Sequence, residues 1–369
     1  MSKTTIPIQP IEAIRGRGMA TQIAHRFSRD ERDAFDDGWG TDEFDEPVRQ
    51  DGTERSDITQ VSFETAKSAI SHNDSPDIYF DYGLNPYRGC EHGCVYCYAR
   101  PTHSYLNLSP GLDFETKLIV KKNLPDVLAR ELAAKSYVPK LIAVGAATDG
   151  YQPIERDYKI TRQCLEVMRK ARQPVAIVTK GAGVERDLDL LAPMAAQNLA
   201  AVYVTITTLD AKLARILEPR AAAPHRRLRM VRTLAQAGVP VGVSVAPQIP
   251  FINDDMEAVL AAAWEAGAKS AFYTVLRLPW EVNPLFKEWL QQHYPDRAGR
   301  VMARVQDMRG GKDYDSNFAT RMKGEGLWAS LIKQRFDKTC AKLGFNRERV
   351  VHDLSRFDAG GLTGQVSLF

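Results

Sequence analysis

The sequence has no run of eighteen apolar residues, so nothing in it reads as a membrane-spanning helix. Its opening, MSKTTIPIQP, lacks the basic start and apolar stretch of a secretory signal. Five cysteines in 369 residues, three of them bunched, do not make a disulfide framework. These absences together point to the reducing cytoplasm. The formal net charge of +3 is too small to name a partner. Charge is uneven instead: acidic residues greatly outnumber basic ones from Asp30 to Asp57, and the stretch from Lys287 to Arg349 is basic. An apolar share of 44% supplies a sizeable core.

Residues 1–75 lack sustained periodicity and are rich in Gly, Asp, Glu, Ser and Arg, the composition of a largely disordered N-terminal arm. Arg15-Gly-Arg-Gly and the stretch from Val61 to Ile70 look less random, the latter as a short docked element. An unstructured leader is the competing reading.

From Ile78 the texture changes. Short apolar runs at Ile78–Tyr82, Leu141–Ala146, Val175–Thr179, Ala201–Thr205, Val241–Ala246 and Ala271–Leu276 alternate with helical patterns. Strand–helix alternation with nearly continuous apolar strands implies a parallel sheet covered by helices. Gly238 and Gly267 fall where helix C-caps are expected. Six such units predict an α/β fold, a partial (β/α)6 barrel over residues 76–279, with a doubly wound open sheet as the alternative. In either, chemistry belongs at the C-terminal ends of the strands. After Pro279 the alternation stops. Residues 280–360 read as a helical extension built from Trp280–His293, Arg297–Met308 and Leu327–Leu343, followed by a polar tail over 361–369.

The strongest signal is Gly89-Cys90-Glu-His-Gly-Cys94-Val-Tyr96-Cys97-Tyr98, a C-x3-C-x2-C loop following the first predicted strand. Three thiolates on one loop can ligate three irons of a [4Fe-4S] cubane and leave the fourth open, whereas clusters that only carry electrons use four cysteines. The competing ligation is zinc held by the three cysteines with His92 or His103. Cys164 and Cys340, isolated in amphipathic helices, read as small core residues.

These residues resemble the radical-SAM superfamily, whose signature loop is C-x3-C-x-aromatic-C, with Tyr96 in the aromatic slot. Within it the chain is similar to the spore photoproduct lyase group and its bacterial relatives, from about Asp77 to Asp255. The resemblance also rests on Thr148-Asp149, Val178-Thr-Lys180, Thr205 to Thr207, Glu218-Pro219 and Val245-Ala246-Pro247. It implies a partial barrel in which Cys90, Cys94 and Cys97 hold the cluster and the open iron chelates S-adenosyl-L-methionine. It also implies reductive cleavage to a 5′-deoxyadenosyl radical, with an electron donor such as flavodoxin or ferredoxin. Tyr96 is implied to lie beside the adenine. Thr148 and Lys180 would hold the methionine portion, Asp149 would join the cofactor-binding set, and Thr205 or Thr207 would reach the ribose. Tyr96 and Tyr98 correspond to tyrosines implicated in hydrogen return, which makes Tyr98 the catalytic candidate. One departure stands out: the cysteine that returns hydrogen in spore photoproduct lyase is replaced here by Ala146 or Ala147.

Two further features suggest a DNA or RNA substrate. In the basic stretch, cations such as Arg321 and Lys323 alternate with aromatics such as Trp289 and Phe336, as single-stranded nucleic acid requires. An amphipathic helical cap explains the same pattern. The terminal Gln365-Val-Ser-Leu368-Phe369 resembles the peptide by which bacterial partners bind the sliding clamp, with Gln365 at the groove rim and Leu368 and Phe369 in an apolar pocket. A segment docking on the chain's own core is the alternative. Peptide or small-molecule modification, or a non-catalytic iron–sulfur sensor, are the competing functions.

Overall fold

The computed structural model describes residue 14 and residues 16–27 and 58–363. The acidic stretch from Asp30 to Asp57 and the tail residues Gln365, Leu368 and Phe369 lie outside the described residues. No helix among those described is long and apolar enough to cross a membrane.

Among the described residues ten strands form two sheets. They are β1 (Gln60–Phe63), β2 (Ile70–His72), β3 (Tyr82–Leu84), β4 (Tyr87–Arg88), β5 (Lys117–Val120), β6 (Ile142–Val144), β7 (Val175–Thr179), β8 (Ala200–Thr205), β9 (Val241–Gln248) and β10 (Ser270–Val275). The large sheet runs β10-β9-β8-β7-β6-β3-β2. Its six strands from β3 to β10 are parallel and lie in chain order, with β2 antiparallel on the edge. A doubly wound sheet reverses its order at a switch point; this one never does, so the expected partial (β/α)6 barrel is the fold.

Strands such as VAIVT in β7 and AAVYVT in β8 are rich in β-branched residues and buried along almost their whole length, as a sheet covered by helices requires. Helix Ile160–Lys170 turns Ile160, Cys164, Leu165 and Met168 inward at helical spacing. Gly267 caps helix Met256–Ala266 at φ +112°, and Gly238 follows helix Pro224–Gln236 at φ +78°. Cys164 and Cys340 are core residues.

One expectation fails. The first barrel strand is Tyr82–Leu84, not Ile78–Tyr82. Ile78 and Tyr79 lie in the connection from the antiparallel β2, and Tyr79 is 93% exposed. Apolar content alone cannot separate a strand from the turn that leads into it.

Residues 60–63 and 70–72, in the stretch read as arm, pair as β1 on β5 and as β2 on β3. Helix Gly326–Leu343 packs on the main core through Ala329, Ile332 and Phe336. Helices Val282–His293 and Pro295–Asp307 build a second core with Cys94, Val95 and Tyr96, so the extension helps to seat the cysteine loop. The gap left by an incomplete barrel is bridged at its edge: Val275 N–H donates to the Met322 carbonyl (2.9 Å), and Arg321 forks onto Asp77 at 2.5 and 2.6 Å.

Candidate metal and cofactor site

The cysteine loop follows β4, a few residues beyond the C-terminal end of β3, and is clamped from several sides. Cys90 N–H donates to Phe114 O (2.9 Å) and Val95 N–H to Leu217 O (3.0 Å). Gln152 accepts from Glu91 N–H at 2.9 Å and donates to Gly89 O at 3.1 Å. Gly89 and Gly93 both have positive φ. A Cβ on Gly93 would lie 2.7 Å from the Glu115 carboxylate, so the turn is glycine by necessity.

Cys90 and Cys94 are buried and Cys97 is partly open. The two buried thiols are costly to ionise: burial pushes Cys90 up, and pushes Cys94 to about 12 against the opposing pull of Lys180. Iron ligation supplies the positive charge that converts such thiols to thiolates. Among the described residues no three His, Cys, Asp or Glu side chains converge to hold a single ion. His92 faces Asp149 (3.3 Å), and His103 Nε2 bonds the Lys117 carbonyl (2.9 Å). Both histidines are thus engaged elsewhere, and the cysteines remain as the thiol donors of the loop, a donor set that suits thiolate-bound iron.

Around the loop the strand ends supply two polar networks. In the first, Asp149 follows β6 and faces the cysteine loop through His92. It also accepts from the Thr179 hydroxyl and the Lys180 and Tyr151 N–H groups at 2.7–2.8 Å. Burial raises its pKa, but His92, the Lys180 N–H and the Thr179 hydroxyl outweigh that and hold it at about 2. Its carboxylate is thus spent on tying the loop to β7. Thr148 is similarly engaged, donating to Tyr87 O (3.0 Å). The structure gives both residues positioning work.

The second network binds the loop to β8. Tyr96 donates to Glu218, which also accepts from Thr207 (2.6 Å) and pairs with Arg227. Arg227 donates to Thr205 O (2.9 Å). Glu218 and Arg227 are almost completely buried. Burial raises the Glu218 pKa, yet Arg227 and Lys180 bring it down to about 2. Lys180 itself ion-pairs with no carboxylate among the described residues, and its ammonium lies 5.7 Å from the Tyr96 ring centre.

Tyr98 is half exposed at the mouth and donates to the Ala146 carbonyl, beside the position that lacks cysteine. Arg277, just past β10, lies over the Tyr98 ring at 5.2 Å. It has no carboxylate partner among the described residues and contacts the Met322 thioether at 3.5 Å.

Six of the expected site residues therefore meet around the loop: Tyr96, Tyr98, Asp149, Lys180, Thr205 and Thr207. Sequence reasoning missed Arg227, Arg277, Gln152 and the Arg100–Glu115 pair. Tyr96, Thr205 to Thr207 and Glu218-Pro219 gave a signal for the buried network, but Arg227, nine residues after Glu218 and in the next helix, has no spacing that marks it.

Several side chains of the basic stretch are engaged within the chain. Trp289 and Phe336 are core residues, Arg321 is paired with Asp77, and Lys323 donates to Tyr273 O (2.7 Å). Arg335 pairs with Glu257 and Lys333 with Asp337. Arg321, Lys323 and Arg335 thus tie the extension to the barrel, whereas Lys333 pairs within its own helix, an arrangement that an amphipathic cap accommodates.

A family model described as the Radical SAM superfamily matches residues 84–263. An uncharacterized protein of Mycobacterium tuberculosis is 35% identical over 224 residues, which cover 60% of this chain and 66% of that protein, just under two thirds of its length. An uncharacterized protein of Methanocaldococcus jannaschii is 30% identical over 215 residues, 58% of this chain and 77% of the relative. Among solved structures, spore photoproduct lyase shares the fold, with a TM-score of 0.50 and 16% identity over 77% of this chain and 78% of that one.

Proposed function

The chain belongs to the radical SAM superfamily, and on that premise we propose that it is an enzyme that cleaves S-adenosyl-L-methionine reductively. The observation that carries this reading is the loop of Cys90, Cys94 and Cys97 just beyond the C-terminal end of the first parallel strand, beside Lys180, which has no ion pair among the described residues. A [4Fe-4S] cluster held by these thiolates would supply the electron that breaks the sulfonium bond and releases a 5′-deoxyadenosyl radical. The chain's own residues bind and orient. Lys180 offers a cation to the methionine carboxylate, and Tyr96 is held rigidly by Glu218 and Thr207 as a wall for the adenine. Asp149 and Gln152 fix the loop from behind. Tyr98 would return a hydrogen atom where Ala146 and Ala147 cannot, a role supported by its hydroxyl lying against the Ala146 carbonyl.

Anaerobic reconstitution should give about four irons and four sulfides per chain. The reduced protein should respond to S-adenosylmethionine by EPR and form 5′-deoxyadenosine. Stoichiometric zinc without cluster, or unchanged cleavage in Cys94→Ala, would refute the proposal.

Nucleic acid is the substrate class we favour. It is supported by the shared fold with spore photoproduct lyase and by Arg277, which has no carboxylate partner among the described residues and lies beside the half-exposed Tyr98. Binding of a single-stranded oligonucleotide should weaken steeply with salt, and Arg277→Met should reduce the log–log slope by about 0.7, the value for one lost phosphate contact. Absence of any affinity for single-stranded, duplex or damaged nucleic acid would redirect the reading to a peptide or small molecule.

A further inference from the structure

We propose that Arg17, Gly18 and Met19 form part of the cluster site, as a strap that positions the Cys94 half of the ligand loop. The inference rests on the cluster reading above and concerns residues that lie 75 or more positions before Cys94 in the chain.

Gly18 lies directly against Gly93, the residue before Cys94. A Cβ on Gly18 would fall 1.8 Å from the Gly93 carbonyl oxygen, so no other residue fits that contact. The strap is also hydrogen-bonded in place. Gly18 and Met19 donate their N–H groups to the two oxygens of Glu115, at 2.9 and 3.1 Å. Glu115 in turn pairs with Arg100, both side chains being wholly buried. Arg100 Nε donates to the carbonyl of Cys94 itself at 3.0 Å. A continuous chain of bonds thus runs from the strap amides, through a dry ion pair, to the backbone of a cluster ligand.

Arg17 makes a second connection. Its guanidinium donates to Glu115 O and to the Thr59 hydroxyl, both at 2.9 Å, and Thr59 donates to Glu91 inside the cysteine loop at 2.9 Å. Met19 is 3% exposed and packs in the apolar cluster that contains Cys94, Val95 and Tyr96. Without the strap, Glu115 loses two donors and keeps a buried charge less well compensated, and the Gly93–Cys94 turn faces water. Solvent exposure and hydrogen bonding around a cluster tune its potential and its survival. These are positioning residues, acting on the reaction through Cys94.

The test begins on the unaltered chain without iron. Amide exchange at Gly18 and Met19 should be slowed at least about a hundredfold relative to unstructured peptide, as for bonded interior amides. In Gly18→Val, alkylation of Cys94 should accelerate at least about tenfold while Cys164, buried in its helix, stays slow. After reconstitution, Gly18→Val should bind iron yet show altered g-values in the reduced cluster's EPR spectrum, which a strap remote from the ligands would leave unmoved. Should Gly18→Val expose Cys164 as well, Met19→Ala is the replacement, with a smaller rise confined to Cys94. Unprotected amides at Gly18 and Met19, or alkylation at the wild-type rate in a folded variant, overturn the proposal. Both thiol and exchange measurements stand without a cluster. Failure of reconstitution in the unaltered chain would instead overturn the function proposed above.

Discussion

Changing Glu218 to Gln removes one charge from an almost completely dry pair and leaves Arg227 beneath the cysteine loop without a counter-charge. Breaking a buried pair in this way costs about 3–5 kcal/mol. The structure also dictates how that cost varies with pH. The Glu218 carboxyl is held at about 2 in the fold against 4.5 for the free group, because Arg227 and Lys180 outweigh its burial. A group depressed on folding stabilises fully above its unfolded value and loses that contribution as pH falls through the folded one. The difference is worth about 3 kcal/mol, of which roughly 2 kcal/mol has gone by pH 3. Urea unfolding of wild type and Glu218→Gln, both chelated and anaerobic, should therefore show a gap of several kcal/mol at pH 7. The gap should narrow by about 2 kcal/mol at pH 3. Asp149 titrates in both proteins and cancels in the difference. A gap that is equal at the two pH values, or below about 1 kcal/mol at pH 7, would refute the buried-pair reasoning.

Gly145 ends β6 at φ +90°, and a Cβ there would lie 2.1 Å from the Val178 carbonyl of β7. Gly145→Ala should cost about 3 kcal/mol or more, since left-handed strain adds to the clash; an unshifted urea midpoint would contradict this. For the tail, we propose that a peptide ending in Gln365-Val-Ser-Leu368-Phe369 binds a bacterial sliding clamp with roughly micromolar affinity. Equal binding by the peptide with Leu368 and Phe369 changed to Ala would dispose of that proposal.

Much of the fold was legible because its signals are local. Six apolar runs alternating with helical patterns need only neighbouring residues to be recognised, and five of the six runs became strands. The sixth, Ile78–Tyr82, was misread because β3 is three residues long and is entered through a turn that also carries an isoleucine and two aromatics. The cysteine spacing was legible for the same reason, since the three cysteines lie within eight residues. The basic stretch was not. A lysine that reaches a backbone carbonyl and one that reaches a phosphate have the same neighbours in the chain.

By itself the sequence determined the class of chemistry, because three cysteines at this spacing, beside an aromatic and after a strand, place their thiolates on one loop whatever the rest of the chain does. It also determined that helices would cover a parallel sheet, since period and β-branching act within a few residues. Only the tertiary structure decided how the loop is held. Glu218 and Arg227 reach Tyr96 from another part of the barrel, more than a hundred residues along the chain. Gly18 and Glu115 meet across ninety-seven positions, and Arg321 closes the barrel edge onto Asp77 across two hundred and forty-four. Such contacts depend on which surfaces the fold brings within bonding distance, and burial then sets their strength by excluding the water that would otherwise compete for each charge.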